Sequence, residues 1–195
     1  MVDKLKVYIS AALDLRPERD VLARAIAEVP TSLGWVIAQT PTTQSDPDPS
    51  AVQQADAYLL LLGSDIQAPV GFEWTLARRA DRETFAFYKA SARQTQAAQA
   101  FLREVSRAVR WQTFNDVTEL RRKALALLID YLLARRASYG LSDAEVQRLN
   151  TWRNQALSKT AQAEYRAQTY ADAVILTAER FTPSQGHLIS GGASA

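Results

Sequence analysis

The chain has 195 residues, 47% of them apolar, and a formal charge of +2, enough to bury an ordinary core and too weakly basic for its totals to indicate a nucleic-acid binder. It has no cysteine and one histidine, His187, in a Gly/Ser-containing stretch, which excludes a disulfide framework and a cysteine nucleophile and argues against a histidine-built metal site or a Ser-His-Asp triad. No window approaches the roughly 20 apolar residues of a membrane span, and the start, Met1 to Lys6, has no secretory apolar run; a cytoplasmic location without membrane contact is the expectation.

Lys6-Val7-Tyr8-Ile9-Ser10 is a β-branched and aromatic run that predicts a buried first strand. Pro17, Glu18 and Asp20 then suit a first helical turn, with Val21, Leu22, Ala25, Ile26 and Val29 at helical spacing before Pro30. Trp35-Val36-Ile37-Ala38 predicts a second strand, and residues 40–50, rich in Thr, Asp and Pro, a surface loop. Ala57-Tyr58-Leu59-Leu60-Leu61-Leu62-Gly63 is the strongest strand signal, and its unbroken apolar character suits a central strand covered on both faces. Gly71 is expected to open a helix to about Asp81, followed by strands at 84–88 and 110–114.

Strands alternating with helices imply parallel βαβ crossovers. Five strands without a dinucleotide glycine fingerprint predict an α/β, flavodoxin-like, doubly wound and mainly five-stranded parallel sheet. Val117, Leu120, Ala124, Leu127, Leu128, Tyr131 and Leu132 form the stripe of a last covering helix. Gly140 marks a stop, and Ser142 with Glu145 makes a capping-box pattern for a further helical segment. The expected organisation is an α/β domain over 1–139, a helical extension over 140–182 that packs partly on its own domain and partly on a protein partner or a second copy, and a polar tail over 183–195. In such sheets ligands sit beyond the carboxyl ends of the strands, which puts residues 10–16, 63–72 and 89–93 on one rim.

Two blocks carry a resemblance. Val7-Tyr8-Ile9-Ser10 is followed by Asp14-Leu15 and Glu18-Arg19-Asp20; Asp56-Ala57-Tyr58 leads through Gly63 to Gly71-Phe72-Glu73-Trp74 and Ala77. Over residues 5 to about 114 the chain resembles the bacterial domain of unknown function 4062 family, itself similar to TIR domains and nucleoside deoxyribosyltransferases. The Arg-Tyr-Gly often expected after the central strand is replaced by Ser64-Asp65-Ile66-Gln67. The resemblance implies a role in bacterial defence or signalling and a glutamate, at the place of Glu73, that acts on the N-glycosidic bond of NAD or a related nucleotide. NAD or a nucleotide is then a substrate, and no resident cofactor is implied.

Cleavage of an N-glycosidic bond passes through an oxocarbenium-like sugar, which a carboxylate stabilises or attacks. Around Glu73, the substrate-binding candidates are Asp14 and Asp65 for ribose hydroxyls, Ser10 for a phosphate or hydroxyl, Gly63 and Gly71 for close backbone approach, and Tyr8 or Trp74 for stacking on a base. Each has a plainer explanation. Glu73 also suits a helix start electrostatically, Asp14 and Arg19 suit a loop cap and an ion pair, Tyr8 suits the core, and Trp74 suits either packing or a lid. The Arg78-Arg79 and Arg121-Arg122-Lys123 clusters suit solvated helix faces, whereas Arg135-Arg136 suits those or an acidic partner. The alternative function is a non-catalytic module that senses a nucleotide or binds another protein; nucleic acid ranks last for want of a basic stripe interleaved with aromatics.

Overall fold

The computed structural model describes residues 4–41 and 47–155. Five strands, β1 (Lys4–Ala11), β2 (Gly34–Gln39), β3 (Ala57–Leu62), β4 (Glu83–Lys89) and β5 (Trp111–Phe114), form one sheet in the order β2-β1-β3-β4-β5. Every pairing is parallel. The helices are α1 (Arg16–Ala27), α2 (Pro49–Gln53), α3 (Ala68–Arg79), α4 (Gln96–Val105) and α5 (Val117–Ala134), with α6 over 143–155. This is the flavodoxin-like, doubly wound α/β arrangement.

Strand alternation sorts the core into two layers. Leu5, Val7 and Ile9 of β1 join Leu59, Leu61 and Phe87 under α1 and α5. Tyr8 joins Tyr58, Leu60, Leu62 and Ala86 under α2, α3 and α4. All six β3 residues are buried, as their unbroken apolar run requires. Burying each leucine there is worth roughly 1.5–3 kcal/mol against leaving it in water, so β3 and its two neighbours form the rigid floor of the molecule.

Three helices depart from the expectations. Helix α4 was not among them, and α2 begins inside the stretch expected as loop, where the Asp48 carboxylate caps it by accepting from Ser50 N and Ala51 N. Helix α3 opens at Ala68, with Pro69 in its first turn, three residues before Gly71. Gly140, at φ 63°, turns the chain after α5. The capping box forms as its spacing requires: Ser142 Oγ and Glu145 bond reciprocally, and Glu145 Oε1 also accepts from Ser32 N at 3.0 Å. Leu149 of α6 is buried with the α1/α5 layer, so the first part of the expected extension belongs to the core of the α/β domain; residues 156–195 lie outside the described residues. No described helix is long and apolar enough to cross a membrane.

Candidate functional site

On α3, Val70, Glu73, Trp74 and Ala77 fall at i, i+3, i+4 and i+7, the inward stripe of the helix. Glu73 is therefore a carboxylate at a core position, and it is fully buried. On β1, Ser10 has the same parity as Tyr8 and faces α3. Thr40 follows β2 with the parity of Ala38, which packs in the same layer.

The three side chains close on one carboxylate. Tyr8 OH donates to Glu73 Oε1 at 2.7 Å, Ser10 Oγ to Oε2 at 2.5 Å, and Thr40 Oγ1 to Oε2 at 2.7 Å. Thr40 is itself held on three sides. Its hydroxyl accepts from Ala11 N at 3.1 Å, its amide donates to Ile9 O at 3.1 Å, and its carbonyl accepts from Arg19 Nη1 at 2.7 Å. The buried Arg19 guanidinium also donates to Asp20 Oδ1 from Nε and Nη2. Tyr8 stacks on Tyr58 with ring centroids 6.0 Å apart.

Burial raises the Glu73 pKa, and the hydroxyls of Ser10, Thr40 and Tyr8 together with the Arg19 charge oppose it without cancelling it. Burial, reinforced by the Glu73 charge, raises the Tyr8 phenol far above its ordinary range. The Tyr58 hydroxyl, raised by burial as well, makes no hydrogen bond of good geometry among the described residues.

The other rim candidates serve the loops. Asp14 Oδ2 accepts from Ser64 N and Ser64 Oγ, both at 2.7 Å, and so ties the loop after β1 to the loop after β3. Asp65 Oδ1 accepts from Thr95 Oγ1 at 2.6 Å and Ile66 N at 2.9 Å; the Thr95 hydroxyl, and then the Ile66 amide, hold its pKa low. Lys89 at the end of β4 pairs with Glu18 of α1 at 2.7 Å. The acidic residues of the first sequence block thus brace the rim, as the cap and ion-pair readings of Asp14 and Arg19 required.

Tyr8, Ser10 and Glu73 come together, whereas Asp14, Gly63 and Asp65 form a separate bracket between loops. Gly63 allows the close approach of a side chain, Asp14. A Cβ at Gly71 would meet only Ile66 Cδ1, at 3.8 Å, so that glycine is not required by space. Trp74 is a packed core residue, 3% exposed, and the lid reading is set aside. Thr40 and Arg19 join the site beyond the expected set. Arg19 lay in the recognised Glu-Arg-Asp block; the only cue to Thr40 was its parity with Ala38. Among the described residues no group of three or more His, Cys, Asp or Glu side chains is placed to hold a metal ion.

A buried carboxylate that accepts three hydroxyls is built to receive hydroxyl donors. To reach a sugar carbon it must exchange one of those partners for the substrate. No protein-family model matches the chain, and no curated protein matches it.

Proposed function

We propose that the chain is a TIR-like module of the domain of unknown function 4062 kind, and that Glu73 acts on the N-glycosidic bond of NAD or a related nucleotide. The observation that carries this reading is the convergence of Tyr8, Ser10 and Thr40 on Glu73, because it joins the two sequence blocks on which the resemblance rests. In the reaction the bond between the anomeric carbon and the base nitrogen breaks, and the electron pair leaves with the base. The Glu73 carboxylate stabilises or captures the oxocarbenium sugar, and water then completes hydrolysis. A bacterial defence or signalling role follows from the resemblance.

The test is chromatographic detection of free base after incubation of the concentrated protein with NAD and with nucleosides. Wild type is expected to release base, and Glu73→Gln to do so at least about 100-fold more slowly. Equal turnover by the two proteins removes Glu73 from the reaction.

The completeness of the hydrogen bonding around Glu73 favours a second reading, a non-catalytic module in which this residue fastens α3 to β1 and the end of β2. Saturable nucleotide binding by calorimetry without base release supports that reading, and absence of both leaves a protein-binding role.

A further inference from the structure

The Glu73 cluster leaves the opposite end of the strands unused. There, a cavity of about 610 Å³ lies beside the segments that enter β3, β4 and β5. Four arginines line it from three parts of the chain: Arg78 in the last turn of α3 with Arg82 just before β4, Arg110 just before β5, and Arg135 just after α5.

Two of the four are committed. Arg135 lies 2.8 Å from Glu83 Oε2 and 4.2 Å over the Tyr131 ring, and Arg82 donates to the carbonyls of Ala80 and Ala55. Arg78 and Arg110 make no side-chain hydrogen bond or ion pair among the described residues. On the acidic side, Glu83 answers Arg135 and the Asp56 carboxylate accepts from Lys6 N at 2.8 Å. Only the Asp81 carboxylate is without a partner among the described residues. Arg78, Arg82 and Arg110 therefore outnumber Asp56 and Asp81.

Helix-dipole compensation explains Arg78, in the last turn of α3. It does not explain Arg110, which sits on a loop. The volume lies within the range of small-molecule sites, and each of the two unpaired guanidiniums carries the forked donors that phosphate oxygens accept.

We propose that this cavity binds a small phosphorylated anion of the pyrophosphate class through Arg78 and Arg110. Trp74, a packed core residue, borders the same cavity.

Isothermal titration of the full chain with inorganic pyrophosphate, and separately with ATP, at low ionic strength tests the proposal. Saturable binding is expected, at least tenfold weaker in R78Q/R110Q and unchanged in R103Q/R121Q, which removes the same charge elsewhere. Asp81→Asn is expected to tighten binding severalfold, and its backbone at φ 52° is one that asparagine adopts readily. Tighter binding of ATP than of pyrophosphate supports contact with the nucleoside, and equal binding supports recognition of the phosphates alone. Failure of both ligands to saturate, or wild-type affinity in R78Q/R110Q, overturns the proposal.

Discussion

Gly63 lies so close to the Asp14 carboxylate that a Cβ at position 63 would overlap Oδ2 and sit 2.8 Å from Cγ. The glycine that ends the central strand is thus the space into which Asp14 fits in order to reach Ser64. Asp14 is short, so it cannot swing aside and keep both bonds to Ser64. Gly63→Ala is expected to destabilise the domain by about 2 kcal/mol, the scale of hydrogen bonds to a charged group. The loss should shrink when the change is made in an Asp14→Ala background. Urea unfolding of the four proteins checks this, and equal losses in both backgrounds would show that the contact is not the cause.

Glu73 should give the fold an unusual pH dependence. Its pKa is higher in the folded chain than in the unfolded one, so its contribution is fully present below the ordinary glutamate value of about 4.3. That contribution declines as pH rises from there through the raised folded value. Unfolding free energies measured by tryptophan fluorescence should carry this declining component in wild type and lack it in Glu73→Gln. Parallel profiles for the two proteins would be incompatible with a raised pKa. Glu73→Ala leaves three buried hydroxyls without their acceptor and is expected to cost about 3 kcal/mol.

Glu145 has the opposite sign. Hydrogen bonds from Ser32 and then from Ser142 hold its pKa down at about 2. Its contribution is present above the ordinary glutamate range and is lost as pH falls through about 2. Because this carboxylate pins the start of α6 to the turn that precedes β2, amide hydrogen exchange in 143–155 should accelerate in Glu145→Gln at neutral pH. The variant should also lose part of the stability change that wild type shows on acidification below about pH 4.3. Unchanged exchange in α6 would mean that Leu149 and its neighbours hold the helix unaided.

The sheet was legible because its central strands are written in runs that resist any other reading. Six successive buried residues in β3, and Val7, Tyr8, Ile9 in β1, leave little choice of element. Helix α4 was harder to see. Ala98, Phe101 and Val105 keep helical spacing, but the alanines and glutamines around them dilute the contrast on which periodicity depends. Glu73 could be singled out only through the resemblance, which implies a glutamate on the helix after the central strand. Thr40 could not, since a threonine in a Thr- and Pro-rich stretch carries no mark of the buried acceptor it will meet. The partners of Asp14 and Asp65, respectively 50 and 30 residues away, are set by strand order, which no local pattern contains.

Helix α3 has one further consequence. Glu73 and Trp74 are consecutive residues of the same rigid rod, yet the first closes the hydroxyl cluster and the second walls the arginine-lined cavity. A roll or slide of that rod would carry both side chains with it, so a change at one end of the sheet is expected to be felt at the other.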